Sequence, residues 1–536
     1  MENSASVCES DYLKIGKAEE LTGRDRRIYR WLEILPGAFS LATLIVLSVL
    51  SYFQPIWVAY FIIAFDVYWL LLVIYMAIFL ITSYRKLKIG LRTDWQAKCQ
   101  ALVENKLDEN IPISALIRQG FKPDDIWHLI ILPTYQESTE IIRECLNSLV
   151  NDGWRLDRMI VAVTFEERSG QDLVQAKIAE LELEFKNKFA HFYTTVHPDN
   201  MAGELKGKGA NQAWCAAQVK RDIIDVKSLG YDQILVSVFD IDTVVRPGYF
   251  SALSYKFLTV EDPYHTSYQP IPVYHNNIWR APFFSRVAAS SNTFWQMIMQ
   301  VREESLVTYS SHSMTWQALV DIGFWSTKNV SEDSRIFWHC LMHYNGHYRV
   351  EPIHYEVSMD VTHDESYFKT AKSLYKQQRR WAWGAENIPY LLFNTAKRWH
   401  QPGFEKKRVF SHILIQIYGF HAWATNALII AVIGWLPILL GGERFTSTVL
   451  SGNLPAVTTN LMNFAMIGLV LSAVVSALLL PPKPDGYPAW KKPVMVLEWI
   501  AVPVTIVIFG ASPCLEAQIR LMIGKYMGFW VTPKTR

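Results

Sequence analysis

Asp240 and Asp242 have the clearest chemical potential in this chain, one residue apart at the end of the apolar run 234–250, ILVSVFDIDTVVRPGYF. In extended backbone, residues i and i+2 point to the same side, so the two carboxylates share a face. Adjacent carboxylates repel unless a cation lies between them. The pair is therefore a candidate site for a divalent metal and the phosphates that accompany it. A solvated acidic strand end has the same local sequence, so the rest of the chain must decide.

Three further sets of residues lie at strand ends or in the loops that follow. LPTYQE carries Tyr135 and Glu137, and FEERSG carries Glu166 and Glu167; an aromatic ring and carboxylates at neighbouring strand ends can stack on a base and accept its N–H groups. LKGKGANQAW places Lys206 and Lys208 among glycines ahead of a helix-like stretch, supplying cations and backbone N–H groups suited to a diphosphate. It lacks the GxxxxGK[ST] spacing of a nucleotide triphosphatase loop.

These residues need a scaffold. The runs WHLIILPTY, DRMIVAVTF, FAHFYTTVH and YDQILVSVF alternate with helix-patterned segments such as 139–150 and 171–188. That order predicts an α/β domain with a mainly parallel sheet and its site along the C-terminal strand edge. The domain is expected over residues 85–400, where no stretch is long and apolar enough to span a bilayer.

Membrane segments are expected on both sides. Half of the 536 residues are hydrophobic, only 19% are charged, and there are 20 tryptophans, an apolar excess for a soluble protein. Residues 1–34 read as a polar, arginine-bearing cytosolic leader, and 35–84 as a transmembrane hairpin broken at Pro55. Arginines before it, and Arg85, Lys86 and Lys88 after it, place both ends in the cytosol. Asp66, inside the second span, should face the bundle. Beyond residue 400 come apolar regions 410–442, 457–480 and 494–510, giving three or four membrane elements over 401–512. Residues 513–536 then form an interfacial tail. The membrane in question is expected to be the plasma or inner membrane, with membrane lipids as partners. A net charge of +2 gives no basis for binding nucleic acid. Six scattered cysteines form neither a zinc motif nor a disulfide framework.

A base pocket, diphosphate cations and metal carboxylates in that chain order resemble a family 2 glycosyltransferase of the nucleotide-sugar-binding (GT-A, Rossmann-like) type. NVSEDSRIF carries Glu332 and Asp333 where such enzymes have [ST]-[ED]-D, and YKQQRRWAWG supplies Gln377, Arg380 and Trp381 in QxxRW spacing. Together with the flanking spans, these motifs resemble the processive synthases of cellulose, hyaluronan and chitin. The resemblance implies that Asp242 coordinates Mg²⁺ or Mn²⁺ on the donor diphosphate, with Asp240 on metal or nucleotide, and that Asp333 is the general base. Tyr135, Glu137, Glu166, Glu167 and Lys208 would hold a nucleotide-sugar donor, expected to be uridine-linked. Glu332, Gln377, Arg380 and Trp381 would serve the acceptor and phosphate. The base reading is compatible with a helix-entry cap at 331–333.

The expected reaction is inverting transfer onto a growing polysaccharide, coupled to its export. Single transfer to a lipid-linked acceptor, and a non-catalytic transporter or scaffold, are the alternatives. The chain departs from the synthase pattern in having Glu-Glu for the common Asp-Asp after the second strand, and in lacking Leu-Asn after the lysine loop. It ends in FWVTPKTR, which resembles the F-x-V-T-x-K gating motif of cellulose synthases, and this predicts a tail near the mouth of the site.

Overall fold

The computed structural model describes residues 11–104, 117, 120–488 and 490–532. Cys8 and the last four residues of the FWVTPKTR motif lie outside the described residues.

The four apolar runs singled out above become β1 (Trp127–Pro133), β2 (Met159–Glu166), β3 (His191–His197) and β4 (Ile234–Val238). Four more strands follow: β5 (Val244–Val245), β6 (Thr266–Val273), β7 (Ser313–Thr315) and β8 (Arg349–Ser358). Among the described residues they form one eight-stranded sheet in the order β3-β2-β1-β4-β7-β6-β8-β5. The β3-β2-β1-β4 half is parallel throughout, and the sheet turns mixed where β7 pairs antiparallel with both β4 and β6. This α/β domain lies between apolar helices, as the sequence pattern predicts.

The near-continuous apolar character of β1 has a direct cause. Leu129 and Ile131 pack on one side with Ala216 and Val219 of the helix Lys208–Val219. Ile130 and Leu132 pack on the other with Ile142 and Leu146 of the helix Thr139–Val150. A strand covered on both faces has no solvent side to keep polar, which removes the alternation of a half-buried strand.

On the N-terminal side, the helices Gly23–Phe53 and Pro55–Arg92 meet at Gln54, with Pro55 opening the second, where its missing N–H costs nothing. On the C-terminal side come Lys406–Ala431, Val449–Leu479 and the run Lys491–Met522. These are the five helical runs among the described residues that are long and apolar enough to cross a membrane. Val449–Leu479 packs along Pro55–Arg92, and Asp66 is 2% exposed inside this bundle, as an ionisable group at membrane depth should be.

The last run differs from the rest. It is broken by a 3-10 turn at Glu498–Ala501 and a π-turn at Val507–Ala511 before the helix Ser512–Met522. Glu498 pairs with Arg286 of the helix Phe283–Met299, and Glu516 with Arg379 of the helix Tyr367–Ala382. Both halves of the run therefore touch the domain that carries the site.

Candidate active site

Asp240 and Asp242 follow directly on β4, whose five residues are all buried. One Oδ of Asp240 lies 2.7 Å from Lys208 Nζ, and the other accepts a 2.8 Å bond from the Ser310 hydroxyl. Asp242 is 1% exposed. Its Oδ2 accepts the backbone N–H of Asp360 at 3.0 Å, and its carbonyl accepts from Asn276 Nδ2 at 2.8 Å. The sequence spacing thus produces a fixed pair, held by the segment after β8 and by the loop after β6.

Lys208 opens its helix and is 9% exposed. Its Nζ also lies 2.9 Å from both oxygens of Asp333 and 3.9 Å from Glu332. Burial opposes its charge, but Asp240, Asp333 and Glu332 override that effect and hold the ammonium well above the ordinary lysine pKa. The structure therefore brings Asp240 of the DxD pair and Asp333 of the SED element onto one lysine.

Glu332 and Asp333 begin the helix Glu332–His343. Asp333 remains partly exposed (side chain 22%), while Glu332 is 2% exposed. Burial, and then the adjacent Asp333, raise the Glu332 pKa, with Lys208 and Arg380 acting against the rise. Glu332 Oε2 has no hydrogen-bond partner among the described residues. The two carboxylates of one dipeptide thus lie in different surroundings: Glu332 is buried and its pKa is raised, whereas Asp333 is partly exposed and paired with a lysine.

The glycines of the KGKG loop have a structural explanation. A Cβ on Gly209 would lie 2.7 Å from the Ser326 carbonyl and 3.2 Å from Glu332 Cβ, and one on Gly207 would lie 2.6 Å from Phe529. They permit close approach of the SED helix on one side and of the C-terminal tail on the other. Phe529 also lies under Arg380, whose guanidinium is 4.8 Å from the ring centroid, and Lys376 lies over Trp530 at 5.0 Å.

Of the QxxRW residues, Gln377 accepts from the Thr362 hydroxyl at 2.7 Å and reaches Thr532 at 3.5 Å. Arg380 Nε is buried without a partner among the described residues. Trp381 is half-buried against the cluster of Tyr274, Met359 and Val361.

At the β1 and β2 ends, the expected base-binding carboxylates are already engaged. Glu137 accepts from the Thr134 hydroxyl at 3.1 Å and the Tyr135 N–H at 2.8 Å, bracing its own loop. Glu167 accepts the Asp199 N–H at 2.9 Å. Glu166 is paired with Arg168, whose guanidinium stacks 4.2 Å from the Tyr135 ring centroid. A cavity of about 220 Å³ opens beside them, lined by Glu166, Arg168, His197, Asp199, Glu204 and Lys206 among others.

The sequence reading missed Arg168, Ser310 and His312. Buried His312 donates from Nδ1 to the Tyr309 carbonyl and sits 4.0 Å from Asp333; burial lowers its pKa, against the pull of Asp333. The polar string YSSHS just before β7 was the available signal. Nothing local, however, tells a site loop from a surface loop.

Asp240 and Asp242 offer the hard oxygen donors that Mg²⁺ or Mn²⁺ prefers. Among the described residues no group of three His, Cys, Asp or Glu side chains could hold a metal ion. A cation held by this pair would take its remaining ligands from phosphate and water oxygens.

Residues 235–483 match the family described as Glycosyl transferase family group 2, which supports a family 2 glycosyltransferase. The chain is similar to the solved mannosyltransferase PcManGT from Pyrobaculum calidifontis in complex with GDP-Man and Mn²⁺, at 14% identity and TM-score 0.38, covering 83% of this chain and 99% of that one. It is also similar to residues 1–349 of S. aureus TarS in complex with UDP-GlcNAc, at 14% identity and TM-score 0.34, covering 68% and 98%. Both likenesses are too distant to add to the family match. No curated protein sequence matches the chain.

Proposed function

We propose that this chain is a membrane-embedded, metal-dependent, inverting glycosyltransferase. It moves a sugar from a nucleotide-sugar donor on the cytosolic side onto a growing polysaccharide, which it helps to export. The observation that supports this best is the contact of one ammonium, Lys208 Nζ, with both Asp240 and Asp333. A donor phosphate held at Asp240 and an acceptor hydroxyl held at Asp333 would lie within one side chain's reach, the separation that a direct displacement requires.

In this reading the acceptor hydroxyl gives its proton to an Asp333 oxygen as its own oxygen bonds to the anomeric carbon. The bond from that carbon to the diphosphate breaks on the opposite face, inverting the configuration and releasing a nucleoside diphosphate. Asp240 and Asp242 would hold the divalent cation, which when bound offsets charge on the departing diphosphate. Lys208 adds its own positive charge to the same leaving group. Burial and the adjacent Asp333 raise the pKa of Glu332, which favours its neutral form next to that carboxylate. Trp381 offers a face to the acceptor sugar and Arg380 a guanidinium to phosphate.

The ion pairs at Arg286 and Arg379 support a topology in which the run Lys491–Met522 lies along the cytosolic face of the bilayer. The four preceding long helices then cross it. Purified protein incubated with radiolabelled nucleotide sugars tests the function. A product that lengthens from donor alone is expected. A single addition to a polyprenyl phosphate would replace the polysaccharide reading, and absence of any transfer would overturn the enzyme reading.

A further inference from the structure

We infer that Glu386 is a positioning residue for this reaction, tying the base Asp333 to the acceptor-binding QxxRW segment. The inference rests on the reading of Asp333 as base, and concerns a side chain that no motif marks.

Glu386 closes the short turn Trp383–Glu386, six residues beyond Arg380, and is 7% exposed. Its Oε1 accepts from the backbone N–H of Val330 at 3.3 Å, the N–H of Ser331 at 3.2 Å and the Ser331 hydroxyl at 2.6 Å. Its Oε2 accepts from Trp383 Nε1 at 2.8 Å. All four partners are donors. A carboxylate satisfies them together, whereas an amide must turn its NH₂ toward one of them.

Ser331 stands immediately before the helix that bears Asp333, yet its side chain makes no cap bond to that helix. Its hydroxyl is spent on Glu386, so the helix entry is oriented from outside. The next residue, which opens the helix Asn387–Arg398, adds to the grip: Asn387 Nδ2 donates to the Ser331 and Ser334 hydroxyls at 3.2 and 3.1 Å, and Asn387 Oδ1 accepts from Arg335 Nε at 2.6 Å. Residues on both sides of Asp333 are thus bonded to the turn and helix that continue from Arg380 and Trp381. Shifting Asp333 relative to Trp381 would require breaking buried bonds whose donors have no water to turn to. A sub-ångström error between a general base and its hydroxyl slows transfer without weakening donor binding.

The test uses the full-length protein and whichever of UDP-glucose, UDP-N-acetylglucosamine and GDP-mannose it turns over fastest. Glu386→Gln is expected to lower kcat at least tenfold and Ser331→Ala about three- to tenfold, with donor KM within twofold when rates are read well below each variant's own melting temperature, which the lost buried bond lowers. In an Asp333→Asn background, Glu386→Gln should cost nothing further, because the residue acts through Asp333. Equal losses in both backgrounds, or a rise in donor KM matching the fall in kcat, would overturn the inference and leave a merely structural role. If Glu386→Gln does not fold, Ser331→Ala decides alone, and wild-type kcat in it is equally fatal. Loss of turnover in Asp333→Asn with none in the Glu386 and Ser331 variants removes the positioning role and spares the base; full turnover in Asp333→Asn removes both. Hydrogen exchange gives a readout without donor: Glu386→Gln should speed exchange in the peptide 330–335 and leave 199–208 unchanged.

Discussion

Lys208 and Asp333 are 125 positions apart in sequence, yet the lysine Nζ sits 2.9 Å from both carboxylate oxygens while also contacting Asp240 at 2.7 Å. Asp240 and Asp333 share this one buried cation, with Glu332 farther off at 3.9 Å, and removing it takes an ion-pair partner from both. Lys208→Met is expected to destabilise the fold by about 1–3 kcal/mol, since the two carboxylates it leaves behind are partly exposed, and to abolish transfer. Denaturant unfolding and donor turnover check this. A variant as stable as wild type would show that Asp240 and Asp333 are solvated without the lysine.

Asp333→Asn keeps the size of the side chain and removes its capacity to take a proton. Transfer should fall by about 10²- to 10⁴-fold, while nucleoside diphosphate binding, followed by calorimetry, stays within about twofold because Asp240 and Asp242 are untouched. Retained turnover would reassign the base.

Glu332 yields a pH prediction. Its folded-state pKa is raised by burial and by Asp333, so its contribution to stability is fully present below the ordinary glutamate value of about 4.3. That contribution is lost as pH rises toward the raised value. Glu332→Gln stays neutral at every pH. Its melting temperature should therefore gain on wild type steadily from about pH 5 upward, with turnover at neutral pH largely kept. A difference that stays flat with pH would mean that Glu332 is charged in the folded protein.

The contact between Phe529 and Gly207 makes the tail testable from two directions. Truncation before Phe529 removes the ring, and Gly207→Ala puts a Cβ 2.6 Å from it. Both changes are expected to alter donor affinity and turnover in the same direction, read by nucleotide titration and initial rates. If truncation leaves both quantities unchanged, the tail has no part in the reaction.

Chelation by EDTA should stop transfer, with Mn²⁺ or Mg²⁺ restoring it. Asp242→Asn should stay inactive at metal concentrations that saturate wild type. Full activity in EDTA would show that Lys208 and Arg380 suffice to stabilise the leaving group.

The strands β1 to β4 were legible because each is an apolar run of strand length with helical spacing between them, and a strand buried on both faces must be apolar throughout. The helices long and apolar enough to cross a membrane were legible for a similar reason, since a bilayer of fixed thickness demands an unbroken apolar length. The common face of Asp240 and Asp242 followed from a period of two. Chain order, spacing and periodicity are local, and the sequence by itself determined what depends on them: the α/β domain, its flanking helices and the set of chemically capable residues.

Which of those residues are free to act depends on distances through space between segments far apart in the chain. Only the tertiary structure decided that Glu137 and Glu167 brace loops, that Arg168 claims Glu166, and that Ser310 and Asp360 fix the carboxylate pair. It also decided that Phe529 returns to Gly207, and that Glu386 reaches back to Ser331. A hydrogen bond or an ion pair is short-ranged and directional, and nothing in the spacing of one partner records the position of the other.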